Sequence, residues 1–329
     1  MFRIAEKKRM SAGLVTVFGG SGFVGRHLVR ALAKRGWRVR VAVRRPDLAG
    51  HLQPLGIVGQ VQAVQANLRY RDSVARAVAG ADAVVNLVGI LSESGRQTFG
   101  AVQAAGAKAV AEAAAAAGIR NVVHLSAIGA DAESVSDYAA SKAYGEKAML
   151  AAVPTAAILR ASVIFGPEDK FFNRFASLAR FTPALPLIGG GETRFQPVYV
   201  GDVADAIVAA LEGKARPGAV YELGGPEVAS FKTLMEYILK ETGRTCMPVN
   251  VPFWAARLQA SVLQLLPNPL LTVDQVNLLE RDNVVSAEAA GEGRTLQGLG
   301  IQPTAYASVV PGYLYRYREH GQFERARSA

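Results

Sequence analysis

Tyr138, Lys142 and Ser126 are the side chains best suited to proton chemistry in this 329-residue chain. Tyr138-Ala-Ala-Ser-Lys142 spaces a phenol and an ammonium by one helical turn, so both share a helix face. The lysine charge favours the phenolate and is expected to lower a pKa that would otherwise lie near ~10. Such a tyrosine can exchange a proton with a substrate oxygen while a nicotinamide exchanges a hydride. Ser126, twelve residues upstream at the end of an apolar run, is placed to steady a substrate carbonyl. Tyr-x-x-x-Lys also occurs by chance as an exposed helix pair, so its place after a fifth strand is what lends it weight.

A second motif supplies the partner for that chemistry. Val15-Thr-Val-Phe leads into Gly19-Gly20-Ser21-Gly22-Phe23-Val24-Gly25, a strand running into a glycine loop that opens a helix. In the Gly19-x-x-Gly22-x-x-Gly25 spacing, Gly19 permits the tight turn and Gly22 the approach of a pyrophosphate. Gly25 permits close packing of the helix on the sheet. The helix N-terminus offers free N–H groups to the phosphates. About twenty residues on, where an acidic side chain would bind a ribose 2′-hydroxyl, stand Arg44 and Arg45. Arginine clamps a 2′-phosphate, so NADP(H) is expected ahead of NAD(H), which stays as the alternative.

These motifs need a scaffold, and the hydrophobic pattern supplies one. Apolar runs at 14–18, 38–43, 61–64, 83–88, 121–126 and 156–163 alternate with helical patterns near 71–79, 97–117 and 137–151. Alternation of this kind predicts βαβ units and a doubly wound, Rossmann-type parallel sheet. After Gly166 the rhythm breaks: Pro183, Pro186 and Gly189–Gly191 mark loops, with strands expected at 195–200 and 220–223 and helices near 202–212 and 230–242. The expected organisation is a basic tail at 1–13, a dinucleotide-binding domain at 14–165, and a smaller α/β part at 166–329 over the strand ends. Some of its segments return to the sheet.

Composition narrows the classes. Half the residues are hydrophobic and 19% are charged, a globular balance. The net charge of +10 attracts anions in general, but no zinc-finger spacing or aromatic-basic motif points to nucleic acid. The single cysteine excludes an internal disulfide. The four histidines lack ligand spacing, so no metal site is expected. The first residues lack the apolar core of a secretory signal, and Met10 is a second candidate start. No run approaches a membrane span. Trp254, Leu258, Val262 and Leu265 form a stripe at helical spacing that reads first as cover for the protein's own core, and second as a membrane or partner surface. The aromatic and arginine-rich tail from Tyr313 reads as a dock for an acidic subunit or lipid, or as a surface helix.

Together these residues resemble the short-chain dehydrogenase/reductase superfamily, in its extended or atypical branch. Asn86-Leu-Val-Gly89, Gln196-Pro-Val-Tyr-Val-Gly-Asp202 and Tyr221-Glu-Leu-Gly-Gly-Pro226 carry the resemblance beyond the glycine loop and Tyr138/Lys142. It implies cofactor contacts by Asn67, Leu68, Val88, Gly89 and Arg160 as well. Asn67 stands where an adenine-binding aspartate is usual. Val17–Arg26, Tyr144-Gly-Glu-Lys147, Asn268–Gln275 and Glu280-Arg-Asp-Asn283-Val-Val look more narrowly like the NAD(P)H-binding accessory subunits of respiratory complex I. That resemblance implies a tightly held, mainly structural cofactor and complex I subunits as partners. It also implies a place on the peripheral arm near the quinone site, with peripheral membrane contact. Without a presequence of mitochondrial length, a bacterial version on the cytoplasmic face of the inner membrane is expected. The intact Tyr138, Lys142 and Ser126 keep open an active NADP-dependent oxidoreductase, epimerase or dehydratase, whose sugar-nucleotide clamps would be Arg174, Arg180 and Arg194. A redox-sensing regulator is a third class.

Overall fold

The computed structural model describes residues 13–266 and 269–319. The first strands and helices in chain order are β1 (Leu14–Phe18), α1 (Phe23–Lys34), β2 (Arg38–Val43), β3 (Val61–Gln65), α2 (Arg71–Val78) and β4 (Ala83–Asn86). A π turn at Gly100–Ala104 leads into α3 (Ala105–Ala116), followed by β5 (Asn121–Ala127), α4 (Asp137–Ala152), β6 (Ala157–Ala161) and β7 (Ile164–Phe165). Next come α5 (Phe172–Phe181), β8 (Ala184–Ile188), β9 (Arg194–Phe195), β10 (Val198–Tyr199), α6 (Val200–Leu211) and β11 (Val220–Leu223). The rest comprises β12 (Ala229–Ser230), α7 (Phe231–Thr242), β13 (Met247–Val251), α8 (Phe253–Leu263), α9 (Val273–Leu278), α10 (Ala287–Gly291), α11 (Tyr306–Val309) and α12 (Pro311–Leu314).

Seven strands form one parallel sheet in the order β11-β6-β5-β4-β1-β2-β3. The chain winds outward from β1 in one direction, then crosses to β4 and winds the other way. That reversal opens a crevice at the carboxyl ends of β1 and β4, where ligands of doubly wound sheets bind. Alternation along each strand fills two layers. Val15 and Val17 of β1 face Leu28, Val29 and Leu32 of α1 and the apolar side of α6. Phe18, Val84, Val122 and Ile158 face Val74 of α2, Val110 of α3 and Met149 of α4. The one polar residue inside β1, Thr16, is satisfied by donating to the Ala77 carbonyl at 2.8 Å.

Several expected spans shorten for local reasons. β4 stops at Asn86 because its side-chain oxygen accepts from Val88 N at 3.1 Å and turns the chain. The expected 156–163 strand breaks after Ala161, and Ser162 and Val163 bond Asn283 instead. The expected 195–200 strand is two short strands parted at Gln196 and Pro197. The 97–117 helix starts only at Gly100, through the π turn. Small residues there matter: a Cβ on Gly145 would come within 3.0 Å of the Gln103 carbonyl and 3.2 Å of the Ala107 Cβ. Gly145 therefore lets α4, which carries Tyr138 and Lys142, lie close on the π turn.

Beyond the sheet, Phe165, Phe172, Phe195, Phe231 and Leu234 gather into a second core that walls the crevice. Tyr313 and Leu314 belong to this core, and the Tyr313 hydroxyl donates to Asp169 Oδ2 at 2.5 Å. Arg318 bonds the Glu241 carbonyl at 2.8 Å. Tyr313, Leu314 and Arg318 of the aromatic tail therefore pack internally, while Tyr315 stays 38% exposed. Residues 320–329 of that tail, and most of the 1–13 segment, lie outside the described residues.

The α8 stripe behaves in the opposite way. Trp254 is 71%, Leu258 65%, Val262 64% and Leu265 80% exposed. Only Ala256 and Ala260 of α8 are buried, against Val276 and Val251. Two alanines are enough to seat the helix, so its large side chains are left in solvent rather than covering the core.

Candidate dinucleotide and proton-transfer site

The crevice is a cleft of about 890 Å³. One end is the glycine loop. Gly19 has φ +80°, open to glycine at little cost. A Cβ on Gly25 would sit 2.5 Å from the Gly19 carbonyl oxygen and 2.5 Å from Gly20 Cα. The close partner of Gly25 is thus the loop's own backbone rather than the sheet. α1 starts without a side-chain cap and without an acidic residue in its first turn. Its amino end therefore points free donors at the cleft, as an anionic pyrophosphate requires.

Gly19, Ser21, Gly22, Phe23, Val24, Gly25, Arg44, Asn67, Leu68, Val88, Gly89, Ser126, Tyr138 and Lys142 all line this cleft. Three expected cofactor residues do not. Gly20 packs toward Val41, whose Cγ1 would lie 2.7 Å from an added Cβ. Arg45 pairs with Asp47 at 2.7 Å on the surface. Arg160 makes a two-pronged contact with the buried Glu146, Nε–Oε1 2.9 Å and Nη2–Oε2 2.7 Å, and lies 4.0 Å from Glu222. From β6 it faces α4, so it ties α4 to the sheet instead of reaching a ligand. Arg44 does face the cleft, held by Gln97 Oε1 at 2.7 Å. Asn67 accepts from Arg69 N through Oδ1 at 3.2 Å, which leaves its NH₂ edge for a base.

At the far end α4 brings Tyr138 and Lys142, and β5 brings Ser126, to the candidate proton-transfer set. Ser136 caps the helix, accepting from Ala139 N at 3.2 Å, and donates to Asp274 of α9 at 3.0 Å. Lys142 Nζ donates to the Leu125 carbonyl at 3.3 Å and sits 5.9 Å from the centre of the Tyr138 ring. Ser126 is 4% exposed, and its Oγ has no partner. A buried hydroxyl left unmatched costs free energy unless a ligand completes it.

The electrostatics correct one expectation. Burial, with help from the Asp274 carboxylate, pushes the Tyr138 phenol up to about 12. Burial also pulls the Lys142 ammonium down to about 8. Desolvation of both groups outweighs the mutual attraction that the one-turn spacing suggested. Lys142 therefore loses its proton at lower pH folded than unfolded. Below pH 8 both states hold that proton and the burial cost is paid in full. From pH 8 toward 10 the unfolded chain binds more protons, so stability rises with pH. Tyr138 pulls the other way only above its unfolded value near 10. Urea unfolding at pH 8 and 10 should show this rise, and Lys142→Met should abolish it; an unchanged pH dependence in the variant would refute the assignment.

Sequence reasoning missed the residues that join the second lobe to this site. Asn283 Oδ1 accepts from Ser162 Oγ at 2.7 Å and Val163 N at 3.1 Å, while Nδ2 donates to the Ile128 carbonyl at 3.2 Å. Gln275 reaches the Leu91 carbonyl at 3.3 Å. Both stood in stretches noted for resemblance, without a role. Asp274 lies in one of those stretches too, again without a role, and Gln97 carried no local signal.

A parallel sheet reversing at β1 and β4, a glycine cradle there and a Tyr/Lys/Ser set across it define a nicotinamide-dinucleotide-binding α/β protein. Comparison with known proteins agrees. Residues 15–224 match the NAD dependent epimerase/dehydratase family. The chain is 36% identical over 327 residues to an Arabidopsis thaliana protein, NADH dehydrogenase [ubiquinone] 1 alpha subcomplex subunit 9, mitochondrial, covering 96% of this chain and 80% of that one. It is 39% identical to a Caulobacter vibrioides ceramide reductase over 197 residues, 60% of each chain. A solved dTDP-glucose 4,6-dehydratase, DesIV from Streptomyces venezuelae with NAD and TYD bound, shares the fold with a TM-score of 0.71, at 23% identity over 93% of this chain and 97% of that one. The chain belongs to the NAD dependent epimerase/dehydratase family and, within it, groups with the alpha subcomplex subunit 9 proteins.

Proposed function

We propose that the chain is an NAD(P)H-binding accessory subunit of respiratory complex I, with a tightly held and mainly structural dinucleotide. The observation that carries this reading is likeness along 96% of the chain to a complex I subunit, including the second lobe. The reductase likeness covers 60%. The subunit stands at the peripheral arm near the quinone region, on the cytoplasmic face of a bacterial inner membrane. Among the described residues no helix is long and apolar enough to cross a membrane. The exposed Trp254, Leu258, Val262 and Leu265 face supplies a peripheral apolar contact.

The glycine loop and the α1 amino end hold the pyrophosphate, and Asn67 and Leu68 flank the adenine end. Lys142 and Tyr138 would stand at the nicotinamide end, where a bound dinucleotide could supply a hydride if the site turned over. Tyr138, kept protonated by burial, can donate to an oxygen beside it; Ser126 Oγ can hold that oxygen. Among the described residues, no group of three or more His, Cys, Asp or Glu side chains could hold a metal ion.

NADP(H) is the preferred cofactor because Arg44 lines the cleft and lacks a carboxylate partner. Arg44→Ala should weaken NADPH about tenfold or more relative to NADH, the worth of one charge-assisted contact, as read by calorimetry. Arg45→Ala should leave the ratio alone, since Arg45 is spent on Asp47. Equal losses for both cofactors in Arg44→Ala would remove the 2′-phosphate argument.

The accessory role is tested in a deletion strain. Tyr138→Phe should restore complex I assembly, seen on native gels, as well as the unaltered chain does. Failure of Tyr138→Phe with folding and nucleotide content intact would favour an active reductase using Tyr138, Lys142 and Ser126.

A further inference from the structure

We infer that the half of the cleft walled by the second lobe binds an apolar chain bearing one carbonyl or hydroxyl group, and not a nucleotide-linked sugar. This goes beyond the accessory role and rests on the dinucleotide occupying the other half. The wall is built from Phe171, Phe195 and Leu278 of the second lobe, facing Leu91, Ile128 and Ile164 of the first. Its charges are largely spent: Arg281 pairs with Asp131 at 2.9 Å, and Asp282 with Arg194 at 2.6 Å.

A sugar nucleotide presents a diphosphate, which needs forked cations to replace its water. The three arginines expected to do this are elsewhere. Arg174 bonds the Pro269 and Leu270 carbonyls, Arg194 holds Asp282, and Arg180 lies over the Phe181 ring at 5.4 Å. None of the three lines the cleft. Lys170 does, and no ion pair joins it to another described residue. One exposed ammonium is a poor match for a diphosphate. The polar end of the site is instead the buried, unpartnered Ser126 Oγ beside the Tyr138 helix. One such hydroxyl and one phenol suit a single oxygen on an otherwise apolar molecule. Each methylene buried against the wall should strengthen binding roughly fourfold.

The test uses the full chain with its nucleotide, titrated calorimetrically with 2-nonanone, 2-undecanone and UDP-glucose. Two added methylenes should tighten binding about fifteenfold, with UDP-glucose weaker than either ketone. Leu91→Asp, at a rim position 55% exposed, should weaken 2-undecanone about tenfold or more while nucleotide content stays unchanged. No ketone binding, no dependence on chain length, tighter UDP-glucose binding, or an unaffected Leu91→Asp would each overturn the inference. Nucleotide content, measured separately by absorbance after denaturation, reports on the dinucleotide reading: its loss with ketone binding retained would sink that reading alone.

Discussion

Gly25→Ala should abolish dinucleotide retention. The added methyl carbon meets Gly19 O, Gly20 C and Gly20 Cα, each at 2.5 Å. All three are backbone atoms of the loop that would cradle the pyrophosphate, so no side chain can swing away. Relief requires the loop to move off α1, or α1 to move off the sheet, where Leu28, Val29 and Leu32 are fully buried. Overpacking of this kind costs roughly 1–3 kcal/mol, and the displaced loop no longer presents its donors. Nucleotide affinity should fall about 100-fold or more, since several charge-assisted hydrogen bonds are lost together. Gly291→Ala is the control: nothing lies within 4 Å of its Cβ position, and it sits in α10. Alanine there should be neutral or stabilising by up to about 1 kcal/mol. Nucleotide released per mole of purified protein decides the matter; full occupancy in Gly25→Ala would contradict the cradle.

Asn283→Ala should strongly destabilise the second lobe. Its amide serves Ser162, Val163 and Ile128, and its main chain bonds Arg194 O at 2.8 Å and Gln196 N at 3.1 Å. Alanine keeps the main-chain bonds and strands the Val163 N–H and the Ile128 carbonyl. At about 1–3 kcal/mol per unsatisfied buried group, offset by the partial exposure of the site, the loss is roughly 2–4 kcal/mol. Asn283→Asp should not rescue it, because a carboxylate cannot donate to the Ile128 carbonyl. The urea midpoint should drop for both variants with the slope unchanged. A midpoint within error of the unaltered chain would show that the second lobe is held by its apolar core alone.

The first half of the chain was legible because its signals are local. Alternating Val15 and Val17 against Thr16 and Phe18 describes a strand with two covered faces, and the glycine spacing describes the turn after it. Arg44 and Arg45 show where local reading stops. Both follow the end of β2 at Val43, where no strand periodicity fixes their directions, and only the fold shows that Arg44 faces the cleft while Arg45 folds back on Asp47. Arg160 fails for a similar reason, since Glu146 and Glu222 reach it from elements 14 and 62 residues away in sequence, counted from 160 to 146 and from 160 to 222. The Tyr138 pKa went astray because helical spacing reports proximity and says nothing of desolvation. The α8 stripe misled by pattern: a helix with an apolar face normally buries it, whereas here two alanines on the other side suffice for docking. Asp274 and Asn283 act on the site from more than 120 residues away, 138 from Ser136 to Asp274 and 121 from Ser162 to Asn283. No local pattern encodes such a contact.

Purification of the tagged chain from its own cells in mild detergent tests the central claim most directly, with mass spectrometry of both the released nucleotide and the co-eluting proteins. The expected result is NADP(H) near one per chain together with complex I subunits. A chain that elutes alone, or carries no dinucleotide, would contradict the accessory role and return Tyr138, Lys142 and Ser126 to the reading of a free enzyme.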